Sequence, residues 1–201
     1  VVSGAGQYLS IAVQNASDVL AFTLDDPDGQ KVGEWVMWTR SKRLTVVTAT
    51  AGRFLLSARQ LSPDRPSPFR CELSLDQPRP ASVHEAQAAA ARLALESGRV
   101  AGSPQTEAAF LEARSRYLHA AALYQALGDP EGEAEAIQHV AISHFQLGET
   151  LDAITAWRKA AAMARAAGSR RVEGACLMSL GAAYRRLGSF DESLEAYTAV
   201  Y

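Results

Sequence analysis

The chain has 201 residues, is 48% hydrophobic and carries a formal net charge of -2, enough apolar material for one large core or two small ones. Residues 1–80 hold nine Lys/Arg against eight Asp/Glu, and residues 81–201 hold eleven against fourteen. Neither part has the basic excess that a phosphate backbone demands, which argues against nucleic acid, and no apolar run approaches the roughly 18 residues of a membrane span.

The start, Val1-Val2-Ser3-Gly4, has neither Met nor a charged n-region, so no signal peptide is legible there. The chain opens in strand-like sequence and stops at Tyr201 in the middle of a helical pattern. It is therefore expected to be a piece of a longer protein. Cys71 and Cys176 fall in the two different parts and are expected to be buried free thiols.

Residues 1–78 alternate in steps of two. Leu9, Ile11 and Val13 form one set, Leu20, Phe22 and Leu24 a second, Trp35 and Met37 a third, and Leu44, Val46 and Thr48 a fourth. Phe69, Cys71, Leu73 and Leu75 close the series. Period two places each set on one face of a sheet. Turn residues separate the sets: Asn15 to Ser17, Asp25 to Gly29, Ala51-Gly52, and Pro63 to Pro68. About six short strands with frequent turns predict an antiparallel β-sandwich.

The Asp25-Asp26-Pro27-Asp28-Gly29 segment has two readings. Three carboxylates and a Gly supply the oxygens that Ca²⁺ takes. A hairpin turn uses the same residues, Pro presetting φ and Gly supplying φ > 0. No Glu follows at EF-hand spacing, and the turn is the expectation.

Several of these segments carry a resemblance: Gly6-Gln7-Tyr8-Leu9, Leu24 to Gly29, Ala51-Gly52-Arg53-Phe54 and Phe69 to Leu73. Together they resemble the bacterial pre-peptidase C-terminal (PPC) domain, in the version that precedes helical repeats in CHAT-type proteins. The resemblance implies a jelly-roll-like sandwich over 1–78 that lacks its first strand. It also implies an exported protein, periplasmic or extracellular, with a cytoplasmic one as the alternative. Trp35 to Trp38 departs from the pattern, where a more polar strand end belongs.

Composition changes at Pro78-Arg79-Pro80, since proline continues neither a strand nor a helix. Ser82 with Glu85 three residues on is the pattern of a capping box. Helices are predicted at 82–97, 106–127, 130–147, 150–167, 170–187 and 190–201. Gly128, Gly148, Gly168 and Gly188 follow four of them at intervals of twenty, where a C-terminal cap prefers Gly, and Pro130 suits a first turn. Residues recur at a step of forty: Glu133 and Glu173, Leu147 and Leu187, Tyr117, Trp157 and Tyr197, and Ala113, Ala153 and Ser193. Such a period marks stacked helix pairs.

The pattern within a pair resembles the tetratricopeptide repeat (TPR). Its positions fall on Ile137, Val140, Ala141, His144, Leu147, Gly148, Ala153, Trp157 and Ala160, then on Leu177, Leu180, Gly181, Tyr184, Leu187, Gly188, Ser193, Tyr197 and Val200. Small residues at 141/181 and 153/193 let two helices approach, and large ones at 157/197 fill the gap to the next pair. The forty-residue period and the link Gly128 to Ala134 are similar to the long-helix form of kinesin light chains and CHAT-type proteins. The expected fold class is thus α+β with two domains, a β-sandwich followed by an α-helical TPR solenoid over 82–201. Its pairs are 82–127 (degenerate), 130–167 and 170–201 (truncated).

The resemblance implies a protein-interaction scaffold serving a CHAT protease-like effector domain outside this chain. Its concave face, built from the first helix of each pair, is expected to bind a protein or peptide partner. By position that face carries Gln138, Ile142, Phe145, Met178, Ala182 and Arg185. The alternative is an accessory sandwich that binds carbohydrate or calcium, with the repeats as spacer. A repeat end without a neighbour exposes an apolar helix face, which favours self-association.

Catalytic patterns are absent from the sequence: no Gly-x-Ser-x-Gly, no Walker loop, no Gly-x-Gly-x-x-Gly. His139 and His144 are five apart, whereas helical zinc ligands stand at i, i+4. No enzyme activity, cofactor or metal is expected. Arg170-Arg171 and Arg185-Arg186 read as solvated faces, with an acidic partner segment as the alternative.

Overall fold

The computed structural model describes residues 2–3, 5–14, 20–37, 42–48, 51–60 and 71–200. Asn15 to Ser17, Trp38, Pro63 to Pro68, Phe69 and Tyr201, named above, lie outside them. Antiparallel strands fill the N-terminal part and six helices follow among the described residues. The chain divides into two compact units, Val1–Val100 and Ala101–Tyr201.

In the first unit the strands are β1 (Val2–Ser3), β2 (Gln7–Gln14), β3 (Leu20–Asp25), β4 (Lys31–Met37), β5 (Lys42–Val47), β6 (Gly52–Arg53), β7 (Leu55–Gln60), β8 (Glu72–Leu75) and β9 (Arg79–Pro80). Two antiparallel sheets dominate, ordered β5-β2-β8 and β4-β3-β7, with β9 continuing beside β2 and β1 pairing β6. Inward residues of both sheets meet in one cluster: Leu9, Ile11 and Val13 of β2, Leu44 and Val46 of β5, Leu20, Phe22 and Leu24 of β3, and Trp35 of β4, joined by Phe54. This is the period-two pattern read from the sequence, now with its partners.

β8 is different. Leu73 and Leu75 pair with Val13 and Ile11, so they share the core-facing side, yet they are 53% and 45% exposed. β8 ends its sheet, and a strand at the edge has no neighbour to cover one flank.

The Asp25–Gly29 segment forms a turn held by its own side chain. Asp26 Oδ1 accepts from the backbone N–H of Asp28 (3.0 Å) and of Gln30 (2.8 Å), and Gly29 supplies φ 79°. Thr48, buried, accepts from Gln7 N at 3.2 Å.

Helix α1 (Val83–Ala101) opens on the capping box expected at Ser82. Glu85 N–H donates to Ser82 Oγ (3.2 Å), and Ser82 N–H donates back to Glu85 Oε2 (3.0 Å). Arg79 Nη1 donates to the same carboxylate at 3.0 Å and stacks over Tyr8. Leu93 packs against the strand core. α1 runs four residues beyond the expected Ser97 stop, with Gly98 buried inside it. A helical Gly costs only about 1 kcal/mol, so it slows a helix without ending one.

The second unit contains α2 (Glu107–Leu127), α3 (Pro130–Gln146), α4 (Thr150–Ala166), α5 (Arg170–Leu187) and α6 (Phe190–Thr198). Each lies against the next, and α3 also touches α5. Gly128, Gly148, Gly168 and Gly188 all have left-handed φ, 67° to 84°. After each, the same two bonds close the helix. At the first, Gly128 N–H reaches Gln125 O and Asp129 N–H reaches Tyr124 O, both 3.0 Å, the Schellman arrangement. Thr106 and Asp129 cap the N-termini of α2 and α3 through Ala109 N–H and Gly132 N–H.

Small residues let paired helices meet. A Cβ at Gly132 would sit 2.3 Å from the Tyr124 ring, and one at Gly181 would sit 2.5 Å from the Tyr197 ring. Ser193 Oγ–H donates to Gly181 O at 2.8 Å across the same contact. Ala141 and Ala153 are fully buried and Trp157 nearly so.

Two outcomes follow. Gly181→Ala should lower stability by a net of up to about 2 kcal/mol, because overpacking of the Tyr197 ring (about 1–3 kcal/mol) outweighs the roughly 1 kcal/mol gain in helix propensity. In a Tyr197→Ala background the same change should stabilise. Urea midpoints followed by helical ellipticity check both signs.

The second concerns Glu85. Arg79's hydrogen bond, then those of Ser82, hold its pKa down from an ordinary 4.5 to about 2. A carboxyl depressed in the fold stabilises fully above its unfolded value. That stabilisation should fade as pH falls from about 4.5 toward about 2. Arg79→Ala should move the Glu85 titration upward in a carboxyl-detected NMR experiment.

Candidate functional site

The six residues expected to line a binding face fall on two helices that touch each other. Gln138, Ile142 and Phe145 lie on α3, and Met178, Ala182 and Arg185 lie on α5. Met178 is 51% exposed and Arg185 is exposed, while the other four are half-buried. Met178 and Arg185 are seven apart, and Gln138 and Phe145 hold the equivalent places forty residues earlier. Two helical turns return to the same stripe.

Side-chain bridges join α3 and α5 at both ends. At the N-terminal end Arg171 Nη2 lies 2.7 Å from Glu135 Oε2 and 3.6 Å from Glu131 Oε1. Ser169 Oγ–H donates to the same Glu131 oxygen at 2.7 Å. The Glu135 hydrogen bond, chiefly, raises the Arg171 pKa above its ordinary value. At the C-terminal end Arg186 Nη1 donates to Phe145 O at 3.1 Å, and its guanidinium lies 4.8 Å from the Phe145 ring centroid.

Phe145 is thus enclosed. Arg186 covers it on one side and Trp157 packs against it on another, with ring centroids 5.6 Å apart. The indole Nε1 of Trp157 is buried with no hydrogen-bond partner among the described residues. Arg171 and Arg186 stay exposed, as their sequence pattern suggests, and at the same time bridge the α3/α5 contact. A signal was present: Arg171 stands forty beyond Glu131, one repeat step across the very contact it bridges.

A second polar cluster ties α2 to the α3–α4 turn. Arg114 Nη1 lies 2.6 Å from Glu149 Oε2, and His144 Nδ1 lies 2.5 Å from the same oxygen. His144's hydrogen bond first, and Arg114's charge after it, hold the Glu149 carboxyl below its ordinary pKa. One Nδ1 cannot both donate to Glu149 and accept from Arg114, which sits 3.2 Å away. The shorter contact favours the Nδ1–H tautomer.

His144, Glu149 and Asp152 offer ligand atoms within 4.8 Å of one another. The Arg114 guanidinium already supplies the positive charge at that oxygen, so the donor set fits an ion-pair network better than a metal. His139 stacks on Tyr117 at 5.0 Å.

Both cysteines are free. Cys176 is buried, and burial pushes its thiol up to about 12, which makes it unreactive. Cys71 is only half-buried, at the open edge beside β8. No helix among the described residues is long and apolar enough to cross a membrane.

No family model matches the sequence, and no curated protein matches it. Solved structures do. The TPR domain of Arabidopsis FLU aligns with a TM-score of 0.52 at 18% identity, over 57% of this chain and 93% of that one. BtubC (BKLC) from P. vanneervenii aligns at a TM-score of 0.47 and 19% identity, over 60% of this chain and 56% of that one. The likeness to the FLU domain shows a TPR-like helical fold.

The Glu149 network is open to titration. His144→Gln should raise the Glu149 pKa more than Arg114→Gln does, since the histidine bond is the larger cause. Carboxyl NMR on the two variants reads the order directly, and equal or absent shifts would dissolve the network.

Proposed function

We propose that the chain is a non-catalytic protein-interaction module whose working surface is the concave α3/α5 face of a TPR array. Gln138, Ile142, Phe145, Met178, Ala182 and Arg185 are its residues. One observation carries the reading: Met178 and Arg185 are exposed on one stripe of α5, beside a helix to which α5 is fastened at both ends. An exposed Met on a rigid helix gives adaptable apolar contact, and an exposed Arg beside it gives a directional polar one. Such a stripe suits an extended peptide or an amphipathic helix.

In this reading Phe145 supports the face from beneath, since Arg186 and Trp157 enclose it. The strand unit is read as a PPC-like, jelly-roll-like accessory domain, and the repeats as presenting a partner to a CHAT-type effector domain elsewhere in a longer protein.

Affinity capture from a source lysate tests the surface. The bait is this chain beside a Gln138→Ala/Met178→Ala/Arg185→Ala variant, which leaves Phe145 in place, with equal ellipticity of the two checked first. A partner held by the first and lost by the second is the expected result. A partner held equally by both would overturn the assignment of this face.

A further inference from the structure

Charge is unevenly distributed along the α3/α5 face. The N-terminal halves carry Glu131, Glu133 and Glu135 on α3, and Arg170, Arg171 and Glu173 on α5. The C-terminal halves, residues 138–147 and 178–187, contain no carboxylate at all, but they contain Arg185 and Arg186. Arg171 is neutralised by Glu135 and Glu131. Arg186 is committed to Phe145. Arg185 is exposed and has no ion-pair partner among the described residues.

Helical side chains lean toward the N-terminus, which tips Arg185 toward Met178. Seven residues of helix separate the two by roughly 10 Å along the axis. A segment in the polyproline II conformation, three residues per turn, covers roughly that distance in three residues and brings the third side chain back to the same face.

Resting on the reading of this face as the working surface, we propose that it selects a segment with an apolar side chain over Met178 and a carboxylate three residues further along at Arg185. A guanidinium fork matches a carboxylate in two parallel hydrogen bonds. The absence of any carboxylate on the C-terminal halves leaves a basic segment nothing to pair with there.

The test uses the full chain, immobilised, and a synthetic peptide pool: acetyl-Ser-Ser-Leu-X-X-X-X-Ser-Ser-amide, each X an equal mixture of Ser, Gln, Glu and Lys. Retained peptides are sequenced by mass spectrometry. The expected result is Glu over Lys by about tenfold at the third X, the ratio one ~1.4 kcal/mol contact gives. Arg185→Glu should invert that preference, and Met178→Ala should lower retention of the whole pool. A preference for Lys, or a Glu preference that Arg185→Glu leaves unchanged, would overturn the proposal.

Sedimentation of the same samples covers one other occupant. The exposed α6 segment of this chain holds Phe190, Asp191, Glu192, Leu194 and Glu195, which is the same chemistry. A dimer that Arg185→Glu dissociates would assign the face to a second copy and overturn the peptide proposal. A lysate partner lost by the triple variant, with no charge preference in the pool, removes only the charge inference. A partner indifferent to the triple variant removes the face itself.

Discussion

Four left-handed glycines, one every twenty residues, set the geometry on which the helical unit depends. At Gly128, Gly148, Gly168 and Gly188 the backbone takes φ of 67° to 84°, a region that costs an ordinary residue of order 1 kcal/mol or more. Each glycine ends a helix with the same pair of bonds, so each following helix starts at the same phase. Residues forty apart then meet equivalent surroundings. That is why Gly181 lies under Tyr197, why α3 and α5 come side by side, and why Met178 and Arg185 occupy the places of Gln138 and Phe145. A shift of one residue in any helix length would rotate the next stripe by about 100° and separate them.

Much of this was legible because it depends on local chemistry. Helix ends at glycines, the Ser82–Glu85 box, and the alternating strands around Leu9 to Val13 are all decided within a few residues. The structure agrees with each. What the sequence hid is decided across elements. Arg171 and Arg186 are exposed, as their pattern suggests, but nothing in their own helix shows that they also reach partners on α3. Leu73 and Leu75 show the right period, but the period cannot say that β8 ends a sheet. Gly98 has the look of a helix stop and is instead buried inside α1.

The proposed binding face illustrates the same limit. Repeat position alone assigned all six residues one role. In the structure they differ by exposure: Met178 and Arg185 are open, and Phe145 is held between Arg186 and Trp157. The chemistry of Phe145 gives no hint of this, since an aromatic at that place serves equally as contact or as support. The indole N–H of Trp157 is buried with no partner among the described residues, so the large ring fits this layer by its volume rather than by its polar group. An unsatisfied buried donor costs about 1–3 kcal/mol, a cost offset by what a large ring fills between two helix pairs.

The bridges at the two ends of α5 have a consequence for how that helix is presented. Both are partly solvated: the exposed Arg171 ion pair contributes only about 0–1 kcal/mol, and the Arg186 contact with the exposed side of the Phe145 ring about 0.5–1 kcal/mol. Placed at opposite ends, however, they act as two pins through one rod. Rolling α5 about its own axis would break Arg171 from Glu135 and Arg186 from Phe145 together, while sliding it would lose both registers. The azimuth of the outward stripe is therefore settled before anything binds, and a ligand arriving there meets a surface whose ordering entropy has already been spent in folding.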